Sequence, residues 1–228
     1  MLVLVLLMAA TAGAQALAPG ELYGHRSGWG GNAFTMPAGQ YTVSALSRSA
    51  VGITRRLDVK APLLGLVLGP KVSTELALVA RERVALSVEP LLWFRTWGGS
   101  LQEAGVTSRA SALAGPGMAT VALTAAQVTP LLGEVRQELR LELNYEVFLS
   151  DRNRLIVSGR TGLSAEQPAT GGVYFATASE SVGVSLGVNV GYVDLTGPQS
   201  ALGVIGLGEG VPSGTVLPMP HFQLWIRG

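Results

Sequence analysis

Between Glu138 and Gly159 the chain reads ELRLELNYEVFLSDRNRLIVSG, and the spacing of its apolar residues decides how the protein is to be read. Leu139, Leu141, Leu143, Tyr145, Val147 and Leu149 fall on every second position, with Glu138, Arg140, Glu142, Asn144 and Glu146 between them. A strand sends successive side chains to opposite faces, whereas a helix of about 3.6 residues per turn would scatter those charges around its circumference. Only Phe148 breaks the alternation. The text then becomes polar from Ser150 to Arg154 and turns apolar again, the pattern of strand, turn and strand.

The same plan recurs along the chain. VGITRRLDVKAP (51–62) has its charged tip at Thr54, Arg55 and Arg56, and LALVARERVALSVEP (76–90) has one at Arg81, Glu82 and Arg83. A weaker tip, ATASES (176–181), precedes SVGVSLGVNVGYVD, where Val182, Val184, Leu186, Val188, Val190 and Tyr192 alternate with Gly183, Ser185, Gly187, Asn189 and Gly191. The first two tips stand about 27 residues apart, the length of two bilayer-spanning strands and their connection. A water-facing strand carries Thr, Lys or Glu; a row of Gly, Ser and Asn suits a crowded barrel interior instead.

Composition points the same way. Charged residues make up 14% of the 228, well below the roughly 25% of a soluble domain, and mean hydropathy is +0.38. Beyond residue 16 there is no apolar run of about 18 residues, so helical spans are not expected. The net charge of +1, without a basic block, argues against a nucleic-acid partner. Cysteine is absent, which removes a lipoprotein cysteine, disulfides, a thiolate nucleophile and Cys-ligated metal together.

The N-terminus, MLVLVLLMAATAGAQALAPG, is apolar from Leu2 to Ala10 and reaches an A-x-A pattern at Ala14, Gln15 and Ala16, so residues 1–16 read as a signal peptide cleaved after Ala16. It lacks the usual early Lys or Arg, and a buried N-terminal element is the alternative. Residues 17–38 form a Gly-rich tether without periodicity, and residues 39–228 the barrel, with Tyr41 and Val43 on one face of its first strand. Alternation is lost in GGSLQEAGVTSRASALAGP (98–116) and in GEGVPSGTVLPMP (208–220), which read as longer loops. The fold class is therefore all-β, an antiparallel up-and-down membrane β-barrel of about ten to twelve strands.

At MPAGQYTV (36–43) followed by GITRRLDV (52–59), and again at the Ser150–Arg154 tip, the chain resembles the small outer-membrane β-barrel proteins of Gram-negative bacteria. The resemblance spans roughly residues 34 to 95 and 135 to 195. It implies residence in an outer membrane, outer-membrane lipid as surroundings, assembly by the barrel-assembly machinery, and a porin-like or structural part without catalysis. Such proteins usually end in an aromatic residue; this chain ends HFQLWIRG, with Phe222, Leu224 and Ile226 alternating but Trp225 on the other face.

Within that reading Glu138, Arg140, Glu142, Asn144 and Glu146 face the lumen, either lining water or pairing with groups such as Arg160 to plug it. Trp93, Phe94, Trp97 and Tyr192 are the expected interfacial aromatics, with an ordinary core cluster as the alternative. Neither a cofactor, a metal site nor a catalytic residue is expected. His25 and His221 are too separate to hold a metal, and GLGEGVPSG is not followed by a helix that would aim at a phosphate. The expected function is an outer-membrane structural component or narrow passive pore. The alternatives are a soluble periplasmic or secreted β-barrel or sandwich that binds a ligand, and a barrel lipid hydrolase using His221 as base.

Overall fold

A computed structural model describes residues 32–44, 48–62, 71–94, 101–129, 135–150, 152–162, 169–179, 181–193 and 215–228. These form twelve β-strands: β1 (Tyr41–Ser44), β2 (Arg48–Thr54), β3 (Leu57–Pro62), β4 (Lys71–Ala80), β5 (Val84–Phe94), β6 (Leu101–Ala114), β7 (Gly117–Val128), β8 (Arg136–Phe148), β9 (Asn153–Gly162), β10 (Thr170–Ala178), β11 (Val182–Val193) and β12 (Thr215–Arg227). Each pairs antiparallel with its neighbours in sequence, and β12 closes the ring against β1. The chain is an all-β, up-and-down barrel of twelve strands, at the upper end of the range read from the alternation.

Every charged tip named above is a connection at one end of this barrel: Arg55 and Arg56 join β2 to β3, Arg81 to Arg83 join β4 to β5, Leu149 to Arg152 join β8 to β9, and Ser179 begins the turn into β11. A fifth connection there carries no charge. Gly115 adopts φ +57° beside Pro116, the left-handed backbone a side chain resists, and turns β6 into β7. Gly228 exchanges backbone hydrogen bonds with Tyr41 at the same end.

Two expectations need correction. Residues 101–114, expected as loop, form β6, the longest strand, paired with β7 from Glu103 opposite Val128 to Ala114 opposite Gly117. Its outward positions are Ala104, Val106, Ser108, Ala110 and Ala112 and its inward ones Glu103, Thr107, Arg109 and Ser111, so the contrast in hydrophobicity is small although the geometry alternates. Residues 215–220 of the second expected loop belong to β12, in register with β11 despite Pro218 and Pro220. Residues 208–214 lie outside the described residues, as do the expected signal peptide and most of the expected tether.

The end of that tether is inside the barrel. Asn32 to Met36 are buried, with Phe34 packed among Ala85, Leu113 and Met118, and Phe148 against the cluster. Phe148, the apparent break in the alternation of β8, thus follows the inward parity of Glu146 and meets an apolar strap. Gly52 makes the approach possible, because a Cβ there would run into the carbonyl oxygen of Pro37.

Candidate functional site

Strand alternation carries all the described strand charges to one side of the wall. Asp58 and Lys60, Lys71 and Glu75, Glu89, Glu103 and Arg109 occupy the same inward parity as the buried Ser73, Ala77, Ser87 and Ser111 of their strands. So do Arg136, Glu138, Arg140, Glu142 and Glu146 on β8 and Arg154 and Arg160 on β9. Outward positions carry Val51, Ile53, Val72, Leu76, Leu92, Val106, Leu123, Leu139, Leu143, Val157, Phe175, Leu186, Val188, Phe222 and Leu224, all exposed.

The β3–β6 side of the interior holds a closed ionic cluster. Lys60 bonds Glu75, lies 3.1 Å from Glu89 and 3.8 Å from Asp58. Arg109 bonds Glu89 and lies 3.7 Å from Glu75. The second oxygens of the carboxylates are also used: Ser73 donates to Glu89 at 2.6 Å and Ser87 to Glu75 at 2.5 Å. Glu75, Glu89 and Asp58 expose no surface at all. Charges out of water persist only when paired and hydrogen-bonded, since each carries a large desolvation cost; in this cluster the buried Arg109 Nε is left without a hydrogen-bond partner.

Below this cluster, at the end of the short turns, the N-terminal strap is tied by its backbone. The Met36 amide donates to Asp58 at 3.1 Å, the Ala33 amide to the Ser111 hydroxyl at 2.8 Å, and the Thr35 hydroxyl to the Arg55 carbonyl at 3.1 Å. Toward the other end a ladder reaches solvent. Lys71 stands 3.4 Å from Glu103, Arg140 bonds Glu103 at 2.6 Å and Glu138 at 3.0 Å, and the half-exposed Arg136 bonds Glu138 at 2.8 Å.

The five β8 residues picked out by alternation therefore divide among separate pairings. Glu138 and Arg140 are brought together with Glu103; Asn144 donates to Glu142 at 2.7 Å; Glu146 accepts from Arg154 at 3.1 Å. Arg160 stands opposite Glu142 in the β8–β9 register. Of the aromatics, Trp93 lies opposite Lys71 in the register and takes its ammonium 5.1 Å from the ring, on the inward side, while Phe94 follows on the outward parity, half-buried. Trp97 and the side chain of Tyr192 lie outside the described residues; Tyr192 is placed in β11 opposite Val216.

Sequence reading missed Asp58, Lys60, Glu75, Glu89 and Arg109, the most enclosed group of the interior. Each sits alone or nearly so in its strand, as in LDVKAP, KVSTELALVA and VALSVEPLLWF. The usable signal was parity: one charge among apolar residues, on the face opposite to Leu76 or Val88.

The β9–β12 side is built differently. The Tyr174 ring lies over Gly187 and its hydroxyl end over Gly172, where side chains would collide with it; the hydroxyl bonds Asn189 and receives the Ser158 hydroxyl at 3.3 Å. His221 meets the Tyr174 ring edge-on, centroids 4.6 Å apart. Trp225 covers Gly183 and packs with Ile156, Tyr174 and Ala176. The alternation of HFQLWIRG is thus respected, with Trp225 inward and 5% exposed while Leu224 and Ile226 face out.

Among the described residues no three Asp, Glu or His side chains converge as a metal site. His25 lies outside the described residues. Comparison with family models, with curated proteins and with solved structures returns no match to this chain.

Proposed function

We propose that this chain is an outer-membrane β-barrel of the kind found in Gram-negative bacteria, acting as a closed structural component of the membrane and not as an enzyme. One observation carries the reading: every described strand charge has inward parity, while the outward side is uncharged and largely apolar, with scattered polar residues such as Ser108, Gln127 and Thr177. In water that surface would be an aggregation site far larger than the few hundred Å2 patches of soluble monomers. In a bilayer the same distribution meets the demand that hydrocarbon sees no charge and no unpaired strand edge. Most strands are 9 to 14 residues long, spanning or exceeding the roughly 9–11 that a tilted strand needs to cross.

The closed lumen follows from the ionic cluster and the strap. Glu75, Glu89, Lys60 and Arg109 bond one another with almost no exposure, and Phe34 is packed across the short-turn end. A water-filled channel would leave such groups hydrated. The protein reconstituted in planar bilayers is expected to give no stable conductance step, and unboiled protein should migrate apart from boiled protein on a detergent gel. Release from membranes by carbonate would end the membrane reading; a steady ohmic conductance would end the closed-lumen half of it and leave a narrow pore.

A further inference from the structure

Arginines at the short-turn end gather on one arc of the rim, and their meaning rests on the membrane reading above. β2 turns into β3 through Arg55 and Arg56, and β4 into β5 through Arg81, Glu82 and Arg83. The two hairpins stand side by side, since β3 pairs with β4 and the Ala77 amide donates to the Arg56 carbonyl at 2.8 Å. Both turns are held by their backbones. Arg81 and Val84 exchange N–H and C=O bonds, the Arg56 amide donates to the Thr54 hydroxyl at 3.2 Å, and the Thr35 hydroxyl of the strap donates to the Arg55 carbonyl. The Arg55, Arg56 and Arg81 side chains stand exposed, and Arg83 is half-buried.

Inside the barrel Arg109, Arg140 and Arg154 each meet a carboxylate, whereas among the described residues Arg55, Arg56 and Arg81 are in no ion pair. The arc sets four guanidiniums against the one carboxylate of Glu82, which leaves a charge of +3. Residues 1–31 do not offset it wherever they lie, because their only ionised side chains, Glu21 and Arg26, cancel each other. The other carboxylates of the short connections, Asp151 and Glu180, belong to the β8–β9 and β10–β11 turns, separated from this arc by β6 and β7 one way round the ring and by β1 and β12 the other.

Along the strands from these tips the outer wall is apolar at once: Ile53 and Leu78 are more than half exposed, with Val51 and Leu76 beyond them. With hydrocarbon around Ile53 and Leu78, the guanidiniums lie at the depth of the lipid headgroups, their stems able to rest on the apolar wall while the charge stays at its polar edge. The planar fork of a guanidinium matches the oxygens of a phosphate two at a time. An apolar wall directly beside the arginines favours a phosphate that carries acyl chains over the free ion, and a charge of +3 favours a headgroup that is itself anionic. We propose that this arc is a binding surface for anionic phospholipid, the phosphates held by Arg55, Arg56, Arg81 and Arg83 and the acyl chains lying along Ile53 and Leu78.

The full chain in phosphatidylcholine vesicles, with a trace of phosphatidylglycerol or phosphatidylcholine spin-labelled near the end of one acyl chain, tests this by the electron spin resonance of motionally restricted lipid. Phosphatidylglycerol should be preferred at least about fivefold, the gain that one guanidinium at headgroup depth brings. The variant Arg55→Gln, Arg56→Gln, Arg81→Gln should lose most of that preference while keeping restricted lipid and the gel shift on boiling; Arg152→Gln, on the opposite arc, should keep the preference. Restricted lipid without a headgroup preference, a preference unchanged in the triple variant, or an equal loss in Arg152→Gln would overturn the lipid surface alone. Stronger displacement of phosphatidylglycerol by inorganic phosphate than by chloride at matched ionic strength would mark a site for the free ion and overturn it as well. Absence of restricted lipid with either headgroup would overturn the membrane reading and the surface with it.

Discussion

The two sides of the barrel interior fill space by opposite means. Between β3 and β6 the inward positions carry Lys60, Glu75, Glu89 and Arg109, whose long side chains cross from strand to strand and neutralise one another. Between β10 and β12 they carry Gly172, Gly183 and Gly187, against which two rings, Tyr174 and Trp225, are packed. A closed barrel of this size needs a solid interior, and either cross-strand charges or rings over glycine can supply it. The charged side is all-or-none, because each partner is indispensable to the others; the aromatic side is graded, because rings and voids trade volume.

The largest expected effect tests the all-or-none side. Lys60→Met leaves the fully buried Glu75 and Glu89 short of a cation, and should cost about 3–5 kcal/mol in unfolding from lipid vesicles. Were it to cost no more than the aromatic-side changes below, the contrast between the sides would be wrong. The outer surface comes next. Leu143→Arg places a charge against hydrocarbon and should cost about 2–4 kcal/mol near the bilayer midplane, with a smaller loss at Leu149→Arg beside the short turns. A flat profile between these two positions would remove the lipid-facing assignment.

The graded side is sharpened by a coupling measurement. Gly183→Ala drives a methyl into the Trp225 ring and should cost about 1–3 kcal/mol by overpacking. Combined with Trp225→Leu, its extra cost should largely vanish, which a double-mutant cycle reads as coupling; strict additivity would show that the ring does not rest on Gly183. Tyr174→Phe keeps the ring and removes only the hydroxyl shared with Ser158 and Asn189, so about 0.5–1.5 kcal/mol is expected. The smallest effect belongs to the turns: Arg152→Ala, at an exposed tip, should change stability by less than about 0.5 kcal/mol.

Legibility in the sequence followed hydrophobic contrast. β8 could be read residue by residue because Leu alternates with Glu and Arg, and the side chains it assigns to one face do share one face. β6 obeys the same geometry but sets mostly Ala and Ser outside against Gly, Thr and Ser inside, with only Val106 outside and Glu103 and Arg109 inside to mark the faces, so its period was faint and it read as a loop. β12 was truncated for another reason. Pro218 and Pro220 are ordinarily strand breakers, and only the short reach of β1 makes them acceptable at an edge. The tether looked formless because its contacts are with residues far along the chain, such as Ser111 for the Ala33 amide and Leu113 for Phe34.

The sequence by itself determined the class of structure and the partition of its charges. Period two forces alternate side chains to opposite faces, and hairpin tips must be polar, so strands, turns and the two faces follow from local chemistry. What only the tertiary structure decided is which inward residues meet. Lys60, Glu75, Glu89 and Arg109 lie on four different strands, and their convergence depends on the cross-strand register that sets Asp58 beside Glu75 and Ser87 beside Arg109. Register and closure are settled by the whole ring at once, with β12 returning to β1 across the length of the chain. The order of residues along one strand contains no record of that distance.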